Sequence, residues 1–578
     1  MRRVWIGIVL VAMAAPWVAA DENLRISDVG LHGYGGSPGI QVIVRNPLPG
    51  KQTIHLELTA AGQYGVTYVT KSDTILEAGE QRQLELPLEI AGGNVKITAE
   101  ASAGGSVFAR DDYEGTLRNG SLVALLCTDE KICKGVQSQI EFSGSIEDRA
   151  DKNRGLKYEV VNDPRDEWWA YSAASAVILA MPVSKFTPAK RQALEGYLRM
   201  GGRLVLLEQE IADSTFLSAY RTQMPTDGVH VGRGRLLGVA SLGAKKLGDI
   251  FTGANLQQIL GRGEAIRWQS PVQENWLQRR FGTTFHFPRL RWMLVWLAAY
   301  IVIIGVVNFG VLRRLHRLEY GWVSMCGLAL LFAGGLYVSS ASRRPKQFRL
   351  DNLAMYYLDG RSALATANYN LRISAPQRRD VDVSVADSGV IGNQSTFADG
   401  APNSQIWTEM NRRAVQIPQV WELDLGPPLR LQMELLKWSF RDLSFRGMRE
   451  FPGTVHFVAP KRLRNDTGQR FEEAVYVDYE ERKVYAVPSL APGEEMRLDT
   501  IEPDQISDDE RSRQNWNVRL STEGGPTLLN LALANQLPGR GGDHLFAGFS
   551  DGPALPVELS VAHENNVHSL VIVGLEQP

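Results

Sequence analysis

The stretch that decides the architecture is WMLVWLAAYIVIIGVVNFGVL (292–312), followed by RRLHRLE (313–319) and YGWVSMCGLALLFAGGLYVSSAS (320–342). Neither long run holds a charged side chain. Arg291 and Arg313 close the first, and Glu319 and Arg343 close the second. A helix needs about 20 apolar residues to cross a hydrocarbon core of roughly 30 Å, so both runs predict transmembrane helices joined by a short turn. Trp292, Trp296, Tyr320 and Trp322 fall near the ends, where aromatic rings sit between water and lipid. Asn308 is the strongly polar side chain of the first run, and the adjacent helix is its expected partner. The competing reading is a buried hairpin inside a large soluble core.

Orientation follows from the start of the chain. Arg2 and Arg3 precede an uncharged run from Val4 to Ala20, which closes on Val18-Ala19-Ala20 before Asp21 and Glu22. That is the pattern of a signal peptide over residues 1–20, or of an uncleaved anchor. On either reading the next segment is exported, so the first span runs inward and the second returns. The link 313–319, with Arg313, Arg314, His316 and Arg317, then forms a cytoplasmic loop, as the positive-inside rule prefers. Arg289, Arg291, Arg343, Arg344 and Lys346 flank the outer ends, so charge bias alone does not fix the topology.

Composition narrows the class. The 62 basic and 64 acidic side chains leave a net charge of −2, which excludes the basic signature of a nucleic-acid binder. Three cysteines are too few for a disulfide scaffold or a Cys-rich zinc module. At roughly 150 residues per domain, the length predicts about three or four domains.

Residues 21–115 read as short strands. Leu84, Leu86, Leu88 and Ile90 repeat every second position, and turn formers such as Asn46-Pro47-Leu48-Pro49-Gly50 fall between runs. From 118 to 262 the rhythm changes. Leu122–Leu126 and Ala176–Ala180 are continuous apolar runs, as strands covered on both faces should be. Thr187 and Pro188 make a helix start, Gly201-Gly202 a stop, and Arg203–Leu207 the next strand, which predicts an α/β domain with a parallel sheet. Residues 345–578 are again strand-rich, with a short helix expected over Pro526–Leu537, a final strand over Ser569–Val573 and a solvated connector over Glu502–Glu510. Leu76–Leu84 and Leu490–Leu498 share the pattern LxxGExxxL, each downstream of a turn asparagine, Asn46 or Asn465. This echo suggests two immunoglobulin-like sandwiches. The expected fold class is therefore multidomain, α/β plus all-β, with two transmembrane helices at 292–312 and 320–342.

Trp168-Trp169-Ala170-Tyr171, Ala176-Val177-Ile178-Leu179, Phe186-Thr187-Pro188 and the run Tyr197 to Val205 resemble class I glutamine amidotransferase-like domains, in particular the noncatalytic ones of bacterial envelope proteins. Tyr300–Gly305, Leu312–Leu315 and Glu319–Trp322 are similar to the paired spans of that group. Asn465–Gly468 and Leu490–Glu494 are similar to its distal sandwich. The resemblance covers most of the mature chain, through motifs of fold rather than chemistry. It implies a bacterial inner-membrane protein lying mostly on the periplasmic, extracytoplasmic side. It also implies envelope partners, among them MoxR-type ATPases or von Willebrand A-domain proteins.

A working amidotransferase needs a thiol on the turn after Arg203–Leu207, with a histidine and a carboxylate to activate it. Glu208-Gln209-Glu210 stands there instead. Cys127 and Cys133 are spaced for a local disulfide in an oxidising compartment. The competing reading makes Cys127 a nucleophile, although the hundred residues around it hold no histidine. Glu208, Glu210 and Asp129 lie at predicted strand ends, where ligands of parallel sheets bind, or are solvated loop charges. Gly232-Arg233-Gly234-Arg235 is too short for a phosphate loop and reads as a turn. No metal site or cofactor is expected. These features favour a noncatalytic membrane-anchored scaffold that binds other proteins. The alternatives are an enzyme or ligand sensor using the α/β cleft, and an accessory subunit of a membrane transporter.

Overall fold

The computed structural model describes residues 22–31, 39–61, 66–88, 93–117, 122–147, 157–208, 211, 215–221, 228–239, 290–342, 346–360, 362, 364–386, 390–393, 419–425, 428–435, 437, 440–478, 480–481, 483–505 and 544–575. The expected signal sequence and the Pro526–Leu537 helix lie outside them. The fold is mixed α/β and mostly β.

The first part supplies β1 (Leu24–Val29), β2 (Gly39–Arg45), β3 (Gln52–Ala61), β4 (Val66–Leu76), β5 (Gln81–Pro87), β6 (Gly93–Ala103) and β7 (Ser106–Leu117). β1, β2 and β5 form a small sheet that faces the sheet of β4, β3, β6 and β7. Val42, Val44, Leu56, Leu58, Ile97 and Ala99 fill the space between the two. The other face of the larger sheet carries cross-strand pairs, among them His55 with Asp73 at 2.6 Å, Lys96 with Glu114, and Arg110 with Glu100 at 3.1 Å. Such pairs mark a face in water.

The α/β part contains β8 (Leu122–Leu126), α1 (Glu130–Glu147), β9 (Lys157–Val161), β10 (Ala174–Leu179), α2 (Pro188–Arg199), β11 (Arg203–Leu207), β12 (Val229–Val231) and β13 (Gly234–Val239). β8 and β10 are buried along their whole length, as the continuous apolar runs require. Thr187 caps α2, its side chain accepting from the Lys190 N–H at 3.3 Å.

Two long helices then form the hairpin. The first runs from Leu290 to Arg314 with a π turn at Ile303–Val307, and the second spans Gly321–Ser342. Both are long and apolar enough to cross a membrane. Trp322 at 72% and Leu330 at 74% exposure show apolar surface turned outward, which no core helix would do. Trp296 and Tyr300 meet Phe332 edge-on across the hairpin. Asn308 follows the π turn, and among the described residues it makes no hydrogen bond to the second helix.

After the hairpin come β14 (Phe348–Leu358), β15 (Leu364–Ser374), β16 (Arg379–Val385), β17 (Val390–Asn393), β18 (Gln419–Asp424), β19 (Leu429–Leu435), β20 (Phe440–Glu450), β21 (Val455–Ala459), β22 (Arg462–Asn465), β23 (Glu473–Asp478), β24 (Lys483–Val487), β25 (Glu495–Arg497), β26 (Asp504–Gln505), β27 (His544–Ser550), β28 (Val557–Leu559) and β29 (His563–Leu575). A nine-stranded sheet has the order β17-β20-β15-β14-β29-β27-β23-β24-β26. The expected final strand lies within β29. Part of the expected acidic connector, Asp504–Gln505, instead pairs with β24 as an edge strand.

One sheet ignores the hairpin altogether. β18 pairs in parallel with β4, so β16, β18, β19 and β28 continue the sheet of β3, β4, β6 and β7 as a single eight-stranded layer. Segments 21–115 and 345–578 are therefore joined by backbone hydrogen bonds.

The sequence echo is also an echo of structure. The order β1-β2-β5 recurs as β21-β22-β25, with a hairpin (β3–β4, β23–β24) inserted before the third strand each time. Asn46 Nδ2 donates to the carbonyls of Gly50, Leu76 and Glu77; Asn465 Nδ2 donates to those of Gln469, Leu490 and Ala491. Gly79 N–H donates to the Asn46 carbonyl and Gly493 N–H to that of Asn465. Glu80 and Glu494 each accept from the N–H three residues earlier, at 2.8 and 2.6 Å. Gly79 and Gly493 hold φ of 74° and 73°, a left-handed conformation that favours glycine. Both asparagines are fully buried.

Losing such an amide strands several carbonyls, so Asn46→Ala and Asn465→Ala should each cost about 2–4 kcal/mol in urea unfolding. Asn46→Asp should cost at least as much as Asn46→Ala, because it sets an acceptor against three acceptors. A milder Asp variant would show that shape, not donation, matters.

Candidate functional site

The α/β sheet has the order β12-β13-β11-β10-β8-β9, and β9, β8, β10, β11 and β13 run parallel. The chain steps from β8 through α1 to β9 on one side, then crosses back to β10 on the other. Strand order reverses between β8 and β10, and ligands of open parallel sheets bind at the carboxyl ends beside such a reversal. Of the residues singled out from sequence, that crest holds Asp129 and Glu208.

Cys127 follows β8 directly and is joined to Cys133, in the first turn of α1, by a disulfide with Cα atoms 5.8 Å apart. Asp129 lies between them. Its Oδ1 accepts from the N–H groups of Lys131 at 2.8 Å and Ile132 at 3.3 Å, which makes it the cap of α1. A carboxylate already occupying a helix N-terminus repels a second anion there. Glu208 stands exposed in the turn after β11. Glu210 lies outside the described residues. No hydrogen bond or ion pair joins Asp129 to Glu208 among the described residues. Nor do those residues gather three or more His, Cys, Asp or Glu side chains able to hold a metal ion.

The opposite edge of the same sheet is built quite differently. Asp359, just past β14, receives the Tyr220 hydroxyl at 2.9 Å, Arg199 Nη1 at 3.3 Å and the Gly232 N–H at 3.3 Å on one oxygen. Arg199, in the last turn of α2, also donates to Glu195, while its carbonyl accepts from Thr366. Burial and Asp359 push the Tyr220 phenol up to about 12. This clasp joins the α/β part to the segment beyond the hairpin. No local pattern announces it, since its members are far apart in sequence.

A second buried charge cluster ties the α/β part to the first sandwich. Arg165 contacts Asp28 and lies 3.6 Å from Glu85. Its backbone N–H donates to the Tyr171 hydroxyl at 2.7 Å, which explains part of the Trp168–Tyr171 motif: those four residues are core.

No family model matches this chain, and no curated protein does. Among solved structures, an exo-chitosanase, CsxA, of Amycolatopsis orientalis is similar over 29% of this chain and 20% of its own, at 11% identity and a TM-score of 0.12. β-Glucuronidase 2 of Bacteroides uniformis, a calcium-binding mutant, covers 35% and 29% at 10% identity and 0.14. A Salmonella α-2-macroglobulin mutant covers 74% and 38% at 9% identity and 0.13. The chain thus spans well under half the length of these structures, and likenesses this weak carry no argument about fold or activity.

Burial raises the Glu85 carboxyl to about 8, against the opposing charge of Arg165. A carboxyl that holds its proton more tightly when folded adds stability below its ordinary value of 4.5, and that stability is lost as pH rises towards 8. The unfolding midpoint should therefore fall between about pH 5 and 8.5. Glu85→Gln should flatten that fall and stabilise the protein at the alkaline end by on the order of 1–3 kcal/mol. A thermal scan across this range reads both effects.

Proposed function

We propose that this chain is a noncatalytic scaffold of the bacterial envelope, anchored in the inner membrane by its helical hairpin, with nearly all its mass on the extracytoplasmic side. In this reading the α/β part is a class I glutamine amidotransferase-like domain retained for binding, and immunoglobulin-like sandwiches flank it. Its partners are other envelope proteins, with MoxR-type ATPases and von Willebrand A-domain proteins as the named candidates.

The observation that carries the reading is the closure of the chain around its own hairpin. Segments before the first helix and after the second are joined by the β4–β18 pairing and the Asp359 clasp. If both helices cross the bilayer, both segments must lie on one side. That leaves a single large body on a short tether, a form suited to presenting surface. Three further points support it. The turn after β11 presents Glu208 where the amidotransferase reaction needs a thiol. The Asp129 carboxylate is used by the α1 backbone. The Cys127–Cys133 disulfide suits an oxidising compartment.

Crosslinking in intact cells should recover defined protein partners, and a reporter fused after Pro578 should be active only in its extracytoplasmic form. The double variant Glu208→Gln, Glu210→Gln should leave partner capture unchanged. Purification as a lone species in mild detergent, a cytosolic tail, or hydrolysis of an amide or glycosidic bond by the pure protein would each contradict the reading.

A further inference from the structure

The turn of the hairpin is a place where positive charge stands without a counter-ion. The first long helix closes on Arg313 and Arg314, and Arg317 follows three residues later. All three are exposed, and among the described residues none of their guanidiniums meets a carboxylate. Glu319 is the one acid between Arg291 and Ser342. The helix dipole favours a cation at Arg313 and Arg314, but Arg317 lies past the helix end.

The backbone gathers these charges at one level. His316 N–H donates to the Arg313 carbonyl at 3.2 Å and Arg317 N–H to that of Leu312 at 3.0 Å, a Schellman turn that stops the helix. His316 holds φ of 54° there, a left-handed position that glycine fills at lower cost, so an imidazole is set at the tip against backbone preference. Tyr320 N–H donates to the Arg317 carbonyl at 3.2 Å, and the second helix starts at Gly321. A connection this short cannot lift the guanidiniums clear of the helix ends. Around them, Leu315 and Leu318 are more than half exposed, as are Tyr320 and Trp322. The Arg317 guanidinium lies 5.9 Å from the Tyr320 ring centroid. Cations interleaved with exposed apolar and aromatic side chains suit the layer between water and hydrocarbon, where each kind finds its own solvent.

We propose that this turn is a binding site for anionic phospholipid, with the guanidiniums of Arg313, Arg314 and Arg317 on headgroup phosphates. Leu318, Tyr320 and Trp322 lie against the glycerol and the upper acyl carbons. A guanidinium fork can take two phosphate oxygens at once, which gives the contact direction as well as charge. A zwitterionic headgroup offers the same phosphate but brings an ammonium that repels the cluster, so a headgroup without a cation is preferred. A soluble phosphate ester lacks the chains that the apolar side chains need, and an acidic protein would have to reach a turn held at headgroup depth. The inference rests on both helices crossing the bilayer, as the scaffold reading does, and is independent of that reading's protein partners.

The test uses the full-length protein in vesicles of equal parts phosphatidylcholine and phosphatidylglycerol, extracted gently, with the retained lipids identified by mass spectrometry. Phosphatidylglycerol should be retained about fivefold over phosphatidylcholine, and less so as salt is raised. The triple variant Arg313→Gln, Arg314→Gln, Arg317→Gln should abolish the preference while keeping its thermal midpoint in phosphatidylcholine alone. Arg317→Gln by itself, which leaves two cations to orient the hairpin, should lower the preference about threefold. Release of the protein from the vesicles by alkaline carbonate would refute the spanning arrangement, and this site with it. Firm integration without a lipid preference, or a preference unchanged in the triple variant, would overturn the site alone. Displacement of phosphatidylglycerol by glycerol 3-phosphate at matched concentration, or by an added acidic protein, would assign the turn to those ligands and equally overturn the proposal.

Discussion

The pairing of β4 with β18 constrains everything else. Six residues of β18, Gln419 to Asp424, lie in register beside Val66 to Lys71, with both long apolar helices between them in sequence. Until β18 arrives, β4 presents an open row of backbone donors and acceptors, the kind of edge that recruits other chains. The sheet can close only after the hairpin and the segment beyond it have been made. This is a long-range contact whose loop-closure cost is met late, and it makes the first sandwich an incomplete unit until then. A chain organised this way cannot be divided at the hairpin into two separate domains.

The seams between parts differ in character from the cores within them. Leu, Val, Ile and Ala fill the first sandwich, and aromatic side chains such as Trp168, Tyr171 and Tyr197 join them in the α/β part. Arg165 with Asp28, and Arg199 with Asp359 and Tyr220, hold the parts together. Buried ion pairs gain little net stability over apolar packing of the same volume, because desolvation offsets their attraction. What they do is penalise every alternative arrangement that leaves one charge unpaired. In a chain whose halves are made at different times, polar seams also stay wetted while they wait, where apolar ones would bind indiscriminately.

What was legible in the sequence was local. The charge-free runs around Trp292 and Tyr320, the buried strands at Leu122 and Ala176, and the Thr187–Pro188 helix start each depend on neighbours within a few residues, and each appears where its pattern placed it. The Asn46 and Asn465 echo was readable because a buried amide that ties a turn needs a fixed set of local partners. Asp129 could have been read as a cap, since an Asp immediately before a helix is a common cap. Its place at a strand end drew attention to ligands instead. The clasps were not legible. Asp359 and Arg199 carry no local signature, and only the fold brings them together. Asn308 illustrates the reverse case: a polar side chain in an apolar helix implied a bond across the hairpin that the described structure does not contain.

The distribution of charge around the α/β sheet separates what the fold accounts for from what it does not. Asp129 and Glu130 sit at the start of α1, and Arg199 sits in the last turn of α2. Both placements complement the helix dipole, and neither requires a ligand. Arg446 differs: it lies on β20, in a sheet with no helix end of its own, and burial beside the Arg233 charge brings it down to about 9.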